Sequence, residues 1–218
     1  MDDLATIAQL VAVMSACWAI ILGVGAWKRE FIGKRKIELA EQTLVQFFEV
    51  RDAISFIRNP FSSSSEGGTR ERNESETASE WNLLDRGYIV VERFGKREQC
   101  FVQFNTLKYR FMAAFGRESE DIFLETTRIV NSIFISARML STHYWQRQGR
   151  VSMEPDEFKK HLEEMHRHEG TFWEIGGGED ETNQKLQGVL ERLEKITAPC
   201  FQEPMSIYQW LTHRWGKV

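Results

Sequence analysis

The feature that most constrains this chain is a run of residues, Leu4 to Trp27, that contains no charged side chain. At a rise of about 1.5 Å per residue, a helix of this length crosses the roughly 30 Å hydrocarbon core of a bilayer with some tilt. A secretory signal peptide would begin with basic residues and carry a shorter apolar stretch, whereas this chain begins Met1-Asp2-Asp3. The run predicts a retained transmembrane helix at 4–27, preceded by an external tail at 1–3.

The charge on either side of this run predicts its orientation. No Lys or Arg precedes it, whereas five basic residues follow closely: Lys28, Arg29, Lys34, Arg35 and Lys36. Basic residues accumulate on the cytoplasmic side of membrane helices. We therefore expect a single-pass protein of the plasma (inner) membrane with its N-terminus outside and its C-terminal domain in the cytoplasm. The five basic residues are expected at the membrane surface, where anionic lipid would attract them.

Small side chains recur at a spacing of four within the span, at Ser15, Ala19 and Gly23. In lipid, small residues at this spacing let two helices approach closely, because packing replaces the hydrophobic effect as the driving force for association. Alanine and glycine are also common in membrane helices that do not associate. The span is therefore open to two interpretations, homo-association through this stripe or a solitary anchor.

The residues from Lys28 onward are enough for one domain with a hydrophobic core. They contain every basic residue, yet the net charge of the whole chain is −4, so we expect no nucleic-acid partner. The three cysteines, Cys17, Cys100 and Cys200, lie far apart and have neither zinc-site spacing nor the pattern of a disulfide framework. A reducing compartment fits this usage best.

Apolar residues at spacings of three and four predict amphipathic helices through most of this domain. A basic juxtamembrane stalk and first helix are expected at 28–58, ended by Asn59-Pro60 because proline lacks an amide donor. The remainder of a helical bundle is expected at 81–218. The predicted fold is all-α, with one transmembrane helix followed by a cytoplasmic bundle of five or six helices.

Within that bundle, glycine and proline predict several helix boundaries. Gly116 would turn a central helical hairpin, and Pro155 would open the helix that follows the hairpin. Asn183 would cap a helix that ends at Pro199, and a last short helix would open at Pro204.

Two segments are predicted to be loops. Residues 59–80 are polar and include four consecutive serines from Ser62 to Ser65, a composition that buries too little apolar surface to offset the entropy of ordering. We expect a mobile loop there, and a second, glycine-rich loop at 175–183. Both loops are candidate contact surfaces for a partner.

One stretch carries metal-ligand side chains at helical spacing, namely His161, Glu164 and His168. Imidazole and carboxylate groups bind transition metals, and spacings of three and four place residues along one side of a helix. The stretch predicts a candidate metal site. The alternative is a charged helix face that histidines merely border.

Polar residues on the predicted hairpin also stand among apolar neighbours. Arg110, Arg128, Asn131 and Arg138 are expected to form structural ion pairs inside the bundle; the alternative is that a partly buried arginine among them binds an anionic ligand. We find no nucleophile elbow, zinc-protease motif or phosphate-binding loop. The sequence therefore predicts no catalytic residue and no cofactor.

These patterns favour a membrane-anchored, non-enzymatic interaction or regulatory module over an enzyme. Its expected partners are the lipid bilayer, a second copy of the chain through the span, and an unidentified cytoplasmic or membrane protein. One alternative is a helical metal-binding protein or metalloenzyme that uses His161, Glu164 and His168. Another is an oligomeric effector that perturbs the bilayer when its domain binds a ligand.

Overall fold

The computed structural model describes residues 2–63, 65–174 and 180–201. Their regular structure is helical throughout, without a strand, which confirms the predicted all-α class. The helices are α1 (Asp2–Arg58), α2 (Ala78–Phe115), α3 (Glu120–Met139), α4 (Trp145–Arg147), α5 (Pro155–Phe172) and α6 (Glu181–Phe201). Within the described residues, the chain separates into two units, one of residues 2–41 and 197–201 and the other drawn from residues 42–196.

In the first unit, α1 is long and apolar enough to cross a membrane, by length and composition. From Leu10 to Trp27, the large apolar side chains of α1 lie on the surface of the part of the chain that the structure describes. Leu10, Trp18, Ile21 and Trp27 each expose more than 60% of their surface. The helix begins at Asp2, so two of the three residues expected in an external tail are helical.

In the second unit, the first predicted boundary is confirmed, because α1 ends at Arg58 directly before Asn59-Pro60. The next helix begins earlier than the predicted residue 81, at Ala78, because Thr77 forms a capping box. The Thr77 amide donates to the Glu80 carboxylate, and the Thr77 hydroxyl accepts from the Glu80 amide. This reciprocal pair satisfies two amides that the first turn would otherwise leave unbonded.

The core of the second unit is built around four fully buried phenylalanines from three helices. The rings of Phe104 in α2 and Phe123 in α3 stack with their centroids 4.6 Å apart. Phe47 of α1 and Phe111 of α2 each lie 5.9 Å from one ring of this pair. Burying one such side chain contributes about 1.5–3 kcal/mol, so this cluster is a major source of the free energy that holds the three helices together.

The predicted turn of the hairpin is confirmed at Gly116, whose φ of 97° favours glycine. A single 3₁₀ turn, Arg117–Ser119, leads from it into α3. Helical periodicity alone predicts one helix from about Ser119 to Gln146, but the structure places a π-helical turn, Leu140–Tyr144, between α3 and α4. The Gln146 side-chain amide donates to the Ser141 carbonyl oxygen at 3.0 Å, which adds a bond across this turn.

Two predictions about α6 are wrong. The cap is Asp180, whose carboxylate accepts from the Asn183 amide at 3.1 Å, so Asn183 lies within the first turn. Pro199 lies inside α6, which continues to Phe201. A proline this close to the end removes only one intrahelical hydrogen bond, so the helix tolerates it. The short helix predicted from Pro204 lies outside the described residues.

The contact between α2 and the π-helical turn depends on Gly87. A Cβ atom at this position would lie 2.6 Å from the Ser141 Cβ atom and 2.9 Å from the Ala137 carbonyl oxygen. No real Cβ atom makes such contacts, so α2 would have to move away. Gly95, on the same helix, has no atom within 4 Å of its would-be Cβ.

We therefore predict opposite effects for the same substitution at these two glycines. Gly87→Ala should lower the free energy of unfolding by about 1–3 kcal/mol through overpacking. Gly95→Ala should raise it by up to about 1 kcal/mol, because alanine has the higher helix propensity. Urea unfolding of the full chain in mild detergent measures both, and equal effects would contradict the close contact.

Candidate functional site

Two histidines and a serine, side chains that can bind metal ions or transfer protons, lie around the ring of Tyr144 in the π-helical turn. His161 and His168 of α5 are both buried, and their ring centroids lie 5.4 and 5.3 Å from that of Tyr144. The hydroxyl of Ser136, in α3, lies 3.0 Å from Nδ1 of His168. We call Ser136, Tyr144, His161 and His168 the histidine cluster.

Local sequence explains why α5 presents both histidines to this cluster. Pro155 opens the helix, and residues seven apart in a helix stand two turns apart on nearly the same face. Met165 and Phe172 are buried on that face as well. The two imidazoles are therefore part of the face by which α5 packs on α3 and the π-helical turn.

Glu164, the third residue of the predicted metal site, is not brought to the cluster. It lies about 60° around the helix from His161, and its exposed carboxylate accepts from the Arg167 guanidinium at 2.6 and 3.1 Å. Within the described residues, no group of three His, Cys, Asp or Glu side chains is arranged to hold a metal ion. The structure thus unites the two histidines and leaves the carboxylate in solvent, because a charged group with a surface partner gains nothing from burial.

Burial sets the electrostatics of the cluster. Desolvation lowers the pKa of His161 below its ordinary value, and the nearby Arg147 cation lowers it further. Desolvation likewise lowers the pKa of His168, with a smaller contribution from Arg167. Nε2 of His161 is buried and has no hydrogen-bond partner among the residues that the structure describes. Both imidazoles therefore favour their neutral form.

The pair of Ser136 and His168 has the composition of a nucleophile and a base, but its setting does not support catalysis. Both residues are buried, with 4% and 8% of their surfaces exposed, so a substrate could not reach the hydroxyl. A nucleophile needs an accessible position beside its base. The bond is better explained as one that satisfies two polar groups inside the bundle.

A second cluster of polar residues surrounds Arg58, the last residue of α1. Sequence patterns did not predict this cluster. The Arg58 side chain is completely buried and contacts the Asp180 carboxylate at 2.8 and 3.0 Å. Its guanidinium also donates, at 2.9 Å in each case, to three carbonyl oxygens at the end of α5: Gly170, Thr171 and Trp173. One arginine thus caps the C-terminal end of α5 and holds the residue that caps α6.

Glu174 adds a parallel connection beside this ion pair. Its backbone amide donates to the Arg58 carbonyl oxygen at 2.8 Å. Its carboxylate accepts from the Ser55 hydroxyl at 2.5 Å and from the Asn183 side-chain amide at 3.1 Å. Of the predicted second loop at 175–183, residues 175–179 lie outside the described residues, and the residues on either side are fixed by these bonds.

Arg93, in α2, binds carbonyl oxygens at the end of α1, as Arg58 does at the end of α5. Its guanidinium is buried and donates to the carbonyl oxygens of Asn59 at 2.5 Å and Phe61 at 2.7 Å. It also contacts the Glu66 carboxylate at 2.7 Å and lowers the pKa of that group. The side chain therefore satisfies carbonyls just beyond α1 and ties the following segment to α2.

Further bonds secure the segment that the sequence predicted to be a mobile loop. The Glu92 carboxylate accepts from the amides of Gly67 and Thr69 at 2.8 and 2.9 Å, and Arg70 contacts Asp85 at 2.9 Å. Gly67 has a φ of 86° and leaves no room for a side chain against the Asp85 carbonyl. Mobility of the loop at 59–80 remains a prediction, and partners on α2 satisfy part of its polar backbone.

The prediction that three arginines of the hairpin lie inside the bundle is wrong. Arg110, Arg128 and Arg138 are exposed, as is Asn131, and Arg128 pairs with Glu125 on the surface. Periodicity places a long side chain on a face but does not say whether its charged end reaches solvent. The signal that could have found Arg58 was its position at a helix end directly before Asn59-Pro60.

The predicted residues of the span and its flank lie in the first unit. Ser15 bonds its own helix, donating to the carbonyl oxygens of Val11 and Ala12 at 2.9 and 3.0 Å. Ala19 is exposed, and Gly23 has no neighbouring atom within 4 Å of its would-be Cβ. The flanking basic residues Lys28, Arg29, Lys34 and Arg35 are exposed, and Lys36 is half-buried.

Comparisons of the chain with protein-family models, with curated proteins and with solved structures gave no match.

We predict that loss of the Arg93 guanidinium destabilises the segment after α1 and exposes it to protease. Arg93→Met leaves the Glu66 carboxylate and two carbonyls without their cation, so we expect a loss of about 3 kcal/mol in unfolding free energy and at least tenfold faster tryptic cleavage at Arg70 and Arg72. Arg97→Met is the matched control, because Arg97 is exposed and only overlies the Phe56 ring. Equal cleavage of the two variants would contradict the capping role.

The histidine cluster predicts acid sensitivity. The imidazoles of the unfolded chain bind protons near pH 6.5, whereas those of the folded chain bind them at lower pH. Below about pH 6.5 the unfolded state therefore holds more protons, and stability falls as the pH falls.

We expect the urea midpoint of the full chain to drop between pH 7.5 and pH 5.5, and to drop less in His161→Phe. The exposed His166→Gln should leave the pH dependence unchanged. An unaltered acid response in His161→Phe would show that another group causes it.

Proposed function

We propose that this chain is a single-pass membrane protein, anchored through residues 4–27, whose helical bundle acts in the cytoplasm as an interaction or regulatory module. The observation that carries the proposal is the exposure of the apolar side chains along α1 from Leu10 to Trp27. A continuous apolar surface of this length is unstable in water, and a bilayer is the solvent that it fits.

The side chains at the end of the apolar run support the same proposal. Trp27 and Phe31 stack with their ring centroids 5.8 Å apart, and both are exposed. Aromatic side chains concentrate at the boundary between hydrocarbon and headgroups, and basic residues follow them on the cytoplasmic side. Lys28 and Arg29 come directly after Trp27. This order favours an external N-terminus.

Features of the second unit favour binding over catalysis. Its buried guanidinium groups, those of Arg58 and Arg93, satisfy carbonyl oxygens at helix ends, and the pair of Ser136 and His168 has no access for a substrate. By contrast, Phe61 exposes 86% of its surface although Arg93 fixes its carbonyl oxygen. A large apolar side chain held out on an anchored backbone is suited to contact with a protein partner.

The other two hypotheses remain predictions from the sequence. Metal binding by His161, Glu164 and His168 would require Glu164 to leave Arg167 and turn inward. Oligomer formation through Ser15, Ala19 and Gly23 has only the spacing of small residues in its favour. We therefore do not place either beside the principal proposal.

Membrane extraction and protease protection test the proposal. We expect the full chain to stay in the membrane pellet at alkaline pH, and its bundle to be digested only in vesicles that expose the cytoplasmic face. A variant with Asp2→Lys, Asp3→Lys, Lys28→Gln and Arg29→Gln should show mixed or reversed orientation, because it weakens and partly reverses the charge bias.

The control for orientation is Asp2→Lys with Asp3→Lys alone, which keeps the downstream basic residues and should favour the original topology. Release of the chain by alkaline extraction would contradict the anchor. Protection of the bundle in vesicles that expose the cytoplasmic face would contradict the orientation only.

A further inference from the structure

The turns of α1 that follow the apolar run separate their charges onto two sides. At about 100° per residue, Lys28, Arg29 and Arg35 fall within an arc of about 120°, and Ile32 lies near the middle of that arc. We call these four residues the basic face. The exposed surfaces of Lys28, Arg29 and Arg35 make it accessible along its length.

The negative charges of the same segment lie on other sides of the helix. Glu30 points almost directly away from the basic face and pairs with Lys34 at 2.9 Å. Glu38 lies about 120° from the centre of the basic face. The carboxylates therefore neutralise Lys34 and not the basic face, which keeps an excess of positive charge that the sequence order alone conceals.

The basic side chains point back toward the apolar run. In a helix, side chains slope toward the N-terminus, and here this is the direction of the hydrophobic span. The guanidinium of Arg35 lies 5.7 Å from the ring centroid of Phe31, one turn earlier. That of Arg29 lies 3.5 Å from the would-be Cβ of Gly25, also one turn earlier. Charges at these positions lie one turn closer to the bilayer than their Cα atoms.

We propose that the basic face of α1 binds the phosphate groups of anionic phospholipids. The proposal rests on the proposed function, since the face meets headgroups only if residues 4–27 span the membrane. Guanidinium and ammonium groups favour phosphate oxygens, and Ile32, with 45% of its surface exposed, can contact the glycerol and upper acyl region. Phosphate groups of lipids are the only anions that such an anchor would place permanently beside this face.

The experiment compares two neighbouring cations on opposite sides of the helix. The full chain is inserted into vesicles of equal parts phosphatidylglycerol and phosphatidylcholine, and native mass spectrometry of the released protein counts the adducts of each lipid. Arg35→Gln and Lys34→Gln each remove one positive charge, so the net charge of the two variants is the same. A triple variant, K28Q/R29Q/R35Q, removes the positive charges of the basic face.

We expect the wild type to carry an excess of phosphatidylglycerol adducts that declines in high salt, because salt screens exposed charges. Arg35→Gln should lower the ratio of the two adducts by up to about fivefold, and the triple variant should bring it close to unity. Lys34→Gln should change the ratio by less than Arg35→Gln, because Lys34 is already paired with Glu30.

An equal fall in the adduct ratio in Arg35→Gln and Lys34→Gln would overturn the proposal, because it would show that net charge and not the basic face attracts the lipid. A wild-type ratio of unity in a chain that resists alkaline extraction would overturn lipid binding but leave the anchor intact. A chain that alkaline extraction removes from these vesicles would overturn the anchor itself.

Discussion

Satisfaction of buried helix ends is the constraint on which the second unit depends. The last carbonyls of any helix have no partner within it, and burying them without one costs free energy. Here Arg58 supplies donors to the end of α5, and Arg93 supplies them beyond the end of α1. Each arginine is itself buried and needs a carboxylate, which Asp180 and Glu66 provide. Removing either cation would leave several groups unbonded at once.

The first unit handles charge differently from the second. In the bundle, Arg58 and Arg93 are buried and paired with carboxylates, and their geometry holds helix ends and a loop in place. On α1 beyond Trp27, Glu30 neutralises Lys34, and Lys28, Arg29 and Arg35 are exposed together on another side of the helix. A paired charge serves structure, whereas an unpaired and accessible one is available to an external partner. This distinction leads us to seek function in the exposed cations and not in the buried ones.

Local signals in the sequence predicted the elements of this fold well. Asn59-Pro60 ended α1, Gly116 turned the hairpin and Pro155 opened α5, because each acts through backbone geometry within a few residues. Aromatic residues at helical spacing were core, as Phe104 and Phe123 show. The prediction failed where two residues could cap the same helix. Asp180 caps α6 in place of Asn183, because the buried Arg58 holds the Asp180 carboxylate.

The sequence by itself determined the apolar run, the asymmetry of flanking charge and the helical class, because these depend on composition and on contacts between near neighbours. Only the tertiary structure decided which polar residues were buried. His161 and His168 turned inward while Glu164 stayed with Arg167. Arg58 reached Asp180 across more than a hundred residues of chain. Such pairings depend on which helix ends lie next to each other in the folded protein, and the periodicity of the sequence does not predict which ends these are.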